Sequence, residues 1–129
     1  MSPERREYER ISYAVTASYR VFLQKTLRKE ELFYGQADIV NISGGGIQVR
    51  LSDVSSDLLD ELLKSQKKLV LEFTLYIDDK PVKVHGKMAW AHEDTNTRAG
   101  ICFVDVGASE QKLIMDYIDQ ALTHNEQTE

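Results

Sequence analysis

The sequence predicts a mainly β fold: a six-stranded antiparallel split β-barrel with a short inter-strand helix and a C-terminal α-helix. Three observations carry this reading. Apolar and polar residues alternate with period two through most of the chain between Tyr13 and Val106. The period changes to a helical one in only two places, around Leu58–Leu63 and after Ser109. The alternating runs are separated by short, turn-prone breaks of the kind that join antiparallel neighbours. A small sheet of this kind hides its hydrogen-bonding edges by closing on itself.

The first strand is expected at residues 13–23, where Tyr13, Val15, Ala17, Tyr19, Val21 and Leu23 share one face. Residues 24–35 are mostly polar and charged and read as a connection. A second strand follows at about 36–42. Ser43-Gly44-Gly45-Gly46 then breaks the pattern, because glycine reaches backbone angles that other residues resist. Ile47, Val49 and Leu51 alternate with Gln48 and Arg50 in a third strand. Leu58, Leu59, Leu62 and Leu63 fit a short amphipathic helix within 53–68, with Asp53 or Ser55 as its cap. Leu69, Leu71, Phe73, Leu75 and Ile77 form the fourth strand. Asp78-Asp79-Lys80-Pro81 is a turn. Val82, Val84, Gly86, Met88 and Trp90 form the fifth strand, and a last strand is expected at about 98–106. Ser109 opens the final helix, with Leu113, Ile114, Tyr117, Ile118, Ala121 and Leu122 on one face. The expected organisation is a flexible arm at 1–12, a barrel with its helix at 13–123 and a disordered tail at 124–129.

The 129 residues suit one domain, which at this size buries roughly two thirds of its unfolded surface without disulfides or metal. The formal net charge of −5 argues against duplex binding, which needs a basic face, so neither DNA nor RNA is an expected partner. A small anionic ligand is compatible with it, since a few local arginines suffice. Cys102 is the only cysteine, and the charged segment Met1–Arg10 lacks the apolar stretch of a signal peptide. The apolar runs are far too short to span a bilayer. A cytoplasmic protein with no membrane insertion is expected.

Two short motifs stand out. Arg6 and Arg10, preceded by Arg5, lie four apart on the arm. Guanidinium groups are planar donor forks that match phosphate oxygens and the O6/N7 edge of guanine. Alone, such a charged end is more often simply solvated. Asn41-Ile42-Ser43-Gly44-Gly45-Gly46 places an amide, a hydroxyl and then glycine backbone at a strand end, which suits an anion or a base edge. Alone, it is more often a tight strand connection.

Taken together, the motifs resemble those of the PilZ domain family, which carries RxxxR on an N-terminal arm and (D/N)xSxxG at a strand junction of a six-stranded barrel. Arg6 and Arg10 fit the first motif. Asn41, Ser43 and Gly46 fit the second. Gly86-Lys87-Met88-Ala89-Trp90 and Arg98-Ala99-Gly100-Ile101-Cys102-Phe103 look like the family's late strands, so the resemblance covers nearly the whole chain. It implies a receptor for cyclic di-GMP. Arg6 and Arg10 would contact guanine edges and phosphates, Asn41 and Ser43 would hold a guanine, and Gly46 would keep the surface open. In family members an arginine at the position of Arg5 is associated with two intercalated nucleotides rather than one. Trp90 offers a face for base or ribose contact or, equally, is a core residue. Asn41 stands where many members have Asp; an uncharged amide is the weaker acceptor for a guanine N–H edge.

The remaining chemistry is sparse. His85, His92 and His124 show no metal-ligand spacing. Cys102 lies in an apolar strand and reads as a small core residue. No nucleophile has a marked base, so neither a catalytic residue nor a cofactor is expected, and the chain reads as a receptor or adaptor, not an enzyme. Its output would pass to a protein of a motility, secretion or polysaccharide apparatus. Two other readings stand beside this one: a PilZ-fold adaptor that binds protein and no nucleotide, and a small flavin-binding barrel oxidoreductase.

Overall fold

The computed structural model describes residues 10–24, 28–52, 54–64, 69–93 and 96–127. Six strands and two helices follow in the order β1 (Arg10–Gln24), β2 (Lys29–Ser43), β3 (Gly46–Leu51), α1 (Ser56–Lys64), β4 (Leu69–Ile77), β5 (Lys80–Glu93), β6 (Thr97–Val104) and α2 (Ala108–Gln127). The strands close into an antiparallel barrel in the order β1-β2-β3-β6-β5-β4, with β4 returning to β1.

The alternation puts Ala17, Tyr19, Val21, Ile39, Val49, Leu71, Phe73, Leu75, Val84, Met88 and Ile101 inside the barrel. Tyr19 and Phe73 stack there with centroids 5.2 Å apart and planes 18° from parallel. Such aromatic contact adds about 0.5–1.5 kcal/mol beyond the area it buries. On the outer face of β1, β4 and β5, Glu72 is flanked by Arg20 at 3.0 Å and His85 at 3.1 Å.

Both helices follow their caps. The Ser55 hydroxyl accepts the Leu58 N–H at 3.1 Å and opens α1, whose Leu59 and Leu62 are buried. In α2, Gln111 N donates to Gly107 O, and Ile114 and Ile118 turn into the core. The α2 residue Tyr117 meets Tyr13 of β1 edge-on at 5.7 Å. The Tyr13 hydroxyl donates to the Tyr76 carbonyl and accepts the Tyr76 N–H, which ties the start of β1 to the end of β4. Burial raises the Tyr13 phenol above its ordinary pKa; the bond to the Tyr76 backbone works the other way, and neighbouring Tyr117 adds to the rise.

Three elements depart from the expected boundaries, while the Asp78-Asp79 turn falls where it was expected. The polar segment read as a connection is largely strand, because β2 begins at Lys29 and pairs with β1 back to Gln24. This end of the hairpin is exposed on both faces, so it carries no inside-outside alternation to read. Side-chain contacts brace the ladder there: Phe33 lies 5.8 Å from Tyr19, and Arg20 and Lys29 sit over the Phe22 ring. β1 starts at Arg10, so Arg10, Ile11 and Ser12 are strand rather than arm. α2 runs to Gln127, well into the expected tail. The Asp78-Asp79 turn has positive φ at both residues, 52° and 66°, the geometry of the tight hairpin turn whose twist matches its strands.

Candidate functional site

Barrel register brings Arg10, the last residue of the first motif, beside the second motif. Arg10 at the start of β1 lies directly opposite Ser43 at the end of β2, and Ser12 lies opposite Asn41. Arg5 and Arg6 lie outside the described residues. On the other side of β2, Asn41 faces Gln48 of β3 and Ser43 faces Gly46. The ladder continues from Gln48 to Gly100 and from Gly46 to Cys102 on β6. It ends on β5, where Gly100 pairs with Trp90 and Cys102 with Lys87. Two adjacent rows therefore cross β2, β3, β6 and β5, one of Asn41, Gln48, Gly100 and Trp90, the other of Ser43, Gly46, Cys102 and Lys87. The flanking Ile47, Val49, Ala99 and Ile101 point inward, so these rows belong to the outer face.

Asn41 is the chemically distinctive member. Its Nδ2 donates to Gln48 Oε1 at 3.0 Å, which fixes the amide and aims Oδ1 away from Gln48. That Oδ1 is buried and receives no hydrogen bond among the described residues. A buried acceptor without a donor is uncommon and costs free energy, so its retention calls for an explanation. A ligand N–H would satisfy it.

Ser43 and Gly46 shape the adjoining turn. The Ser43 hydroxyl accepts the Gly45 N–H at 3.2 Å and donates to the Gly46 carbonyl at 3.4 Å, and the residue is only 6% exposed. Its hydroxyl is committed to the turn, leaving one lone pair. A Cβ on Gly46 would stand 2.2 Å from the Ile101 carbonyl oxygen, so glycine permits the close approach of β3 to β6. The turn is braced from two sides. Phe103 N donates to Gly45 O at 2.9 Å, and Gln111 of α2 donates to Gly44 O at 3.0 Å.

Trp90 is not a core residue. The β5–β6 register slips between Met88 and Trp90, and this bulge turns the indole to the outer face, where it is 37% exposed. A Cβ on Gly100 would come within 2.2 Å of Trp90 Nε1, so the missing side chain is what lets the ring lie over β6. Trp90 also sits 5.5 Å from the His92 ring. Cys102 is exposed on the outer face, not packed in the core. Gln48 and Gly100 join the candidate row although the sequence alone marks neither as a site residue. Their signal was the outward half of an alternating strand, which every exposed residue shares.

Among the described residues, no group of three or more His, Cys, Asp or Glu side chains is arranged to hold a metal ion, and no helix is long and apolar enough to cross a membrane. The arrangement offers an orphaned acceptor, an exposed aromatic ring, hydrogen-bonded amides and the start of the strand that carries Arg10. Such groups have the chemistry to meet a planar base with an attached anion.

No curated relative matches the chain in sequence. Solved structures do match its fold. The inhibitor of motility MotI/DgrA of Bacillus subtilis is 19% identical with a TM-score of 0.63, over 93% of this chain and 53% of that one. MrkH of K. pneumonia in a complex with c-di-GMP is 15% identical with a TM-score of 0.62, over 98% and 56%. Apo MrkH is 12% identical with a TM-score of 0.65, over 100% and 56%. This chain thus spans about half the length of these structures, and at such identities the likeness is one of fold. The family model of the PilZ domain matches residues 4–120, which include both arginine and asparagine–serine–glycine motifs and every strand of the barrel. The chain belongs to the PilZ domain family.

Proposed function

We propose that this protein is a cyclic di-GMP receptor, not an enzyme, and that it binds the nucleotide on the outer face of the barrel around the β2–β3 turn. The observation that carries this is the buried Asn41 Oδ1, an acceptor with no donor among the described residues, one row from the register partner of Arg10. Guanine presents N1–H and N2–H on one edge and can supply the missing donor; adenine presents a different pattern. Membership of the PilZ family and the fold shared with MrkH, solved as a c-di-GMP complex, support the same ligand.

In this reading Asn41 holds a guanine edge, Gln48 fixes the Asn41 amide, Ser43 and Gly46 set the turn, and Trp90 offers its exposed face to a base or ribose. Arg10, whose backbone stands opposite Ser43, would join Arg5 and Arg6 of the preceding arm in supplying guanidinium groups to the ligand. Ordering a segment costs about 1–2 kcal/mol of backbone entropy per residue, so a multidentate ligand is what would hold the arm down. The rearranged arm then presents a new surface to a downstream protein.

Calorimetric titration of the full chain with cyclic di-GMP and cyclic di-AMP tests this. Saturable binding of the guanine nucleotide is expected, with much weaker binding of the adenine one. Arg6→Ala and Arg10→Ala should each weaken binding at least about tenfold, since a hydrogen bond to a charged group contributes about 1.5–3 kcal/mol. Absence of binding refutes the receptor assignment. Equal affinity for both nucleotides refutes the base-reading role of Asn41.

A further inference from the structure

We infer that Arg50 and Arg98 form a second anion-binding strip on the same outer face, which takes a phosphodiester of the bound cyclic dinucleotide. The inference rests on the receptor reading above and extends its footprint by one row of the sheet.

Arg50 on β3 and Arg98 on β6 are direct cross-strand partners. Both are exposed, and the inward-facing Val49, Leu51 and Ala99 that flank them place both side chains on the outer face. Like charges directly opposite in an antiparallel pair are destabilising. In a chain with 21 acidic residues a neutralising carboxylate would be easy to place, yet neither arginine makes an ion pair among the described residues. Asp38 is the β2 register partner of Arg50 and so a candidate. Its Oδ1 instead accepts the Thr16 hydroxyl of β1 at 3.1 Å, on the side away from β3. Among the described residues the two adjacent guanidinium groups thus make no ion pair, and their mutual repulsion costs stability.

Their position says what they are for. Arg50 is two residues along β3 from Gln48, and Arg98 two along β6 from Gly100, so the arginine row lies about 7 Å from the row of Asn41, Gln48, Gly100 and Trp90. On β5 the same row continues to His92, whose ring contacts Trp90 and joins the two rows. A cyclic dinucleotide carries two anionic phosphodiesters on one macrocycle. With a guanine at Asn41, the neighbouring row is where a phosphodiester can meet two planar donor forks, the geometry in which arginine binds phosphate best.

The test uses the full chain and cyclic di-GMP, with Arg50→Gln, Arg98→Gln and the double variant. Each single change should weaken binding about tenfold and the double change by about a hundredfold or more. The melting temperature without ligand should stay level or rise, because a repulsion has been removed. Binding of the double variant at wild-type affinity overturns the strip while leaving the receptor reading intact, provided the wild type binds. Weakened binding accompanied by a fall in melting temperature also overturns it, since loss of structure would then explain the loss of ligand. A wild-type protein that does not bind cyclic di-GMP overturns both.

Discussion

Replacing Asn41 with leucine removes the amide while keeping a side chain of similar shape. In the free protein two effects oppose each other. The change abolishes the Nδ2–Gln48 hydrogen bond of 3.0 Å, which contributes about 0.5–1.5 kcal/mol. It also removes the buried Oδ1, whose unmet desolvation costs about 1–3 kcal/mol. Gln48 is only partly buried, so water can replace its lost partner. The net change in stability should stay within about 1 kcal/mol, or about 5 °C in Tm for a domain of this size. In the complex the effects no longer cancel, because a guanine N–H that loses its acceptor is left dry and unpaired. That costs about 1–3 kcal/mol, or roughly 5- to 150-fold in affinity. Thermal denaturation of the free protein and calorimetric titration with cyclic di-GMP read the two quantities separately. Binding within twofold of wild type would refute the role given to Oδ1. A large fall in Tm alongside the lost affinity would show that the amide serves the barrel and not the ligand.

Three further outcomes are expected. Cys102 lies in the row of Ser43 and Gly46 and is exposed, so saturating cyclic di-GMP should slow its alkylation; an unchanged rate would place the ligand elsewhere. Gly46→Ala drives a Cβ against the Ile101 carbonyl and should destabilise the barrel by about 1–3 kcal/mol in urea unfolding, whereas wild-type stability would mean that β3 and β6 can separate without cost. Tyr13 titrates higher in the folded than in the unfolded protein, where its ordinary value is 10.0. Above that value the unfolded chain binds fewer protons than the folded one, so the contribution is intact at neutral pH and declines as pH rises toward the folded pKa. The urea midpoint should therefore decline as pH rises above about 10, and Tyr13→Phe should flatten the decline while lowering stability at neutral pH; equal pH slopes in the two proteins would exclude Tyr13 as the cause.

The barrel was legible because its strands are buried on one face only. Leu69–Ile77 and Gly46–Leu51 carry a period-two pattern that no helix shares, and the residues expected inside are inside. Where both faces meet water, as at Lys29–Leu32, the pattern vanishes and the strand was read as a connection. Trp90 is ambiguous in the sequence for a different reason. Alternation from Met88 predicts it inward, but one extra residue in the β5–β6 ladder reverses the parity.

The sequence by itself determined the number and order of strands and helices, the acidic balance that disfavours nucleic-acid duplexes, and the presence of two motifs with the donors and acceptors for a guanine nucleotide. Each follows from local pattern or composition. Only the tertiary structure decided that Arg10 stands opposite Ser43, that Gln48 turns the Asn41 oxygen loose, that Gly100 makes room for the Trp90 ring, and that Arg50 faces Arg98. These are relations between strands far apart in the chain. They are set by hydrogen-bond register around a closed barrel, and register depends on every strand at once rather than on the residues of any one of them.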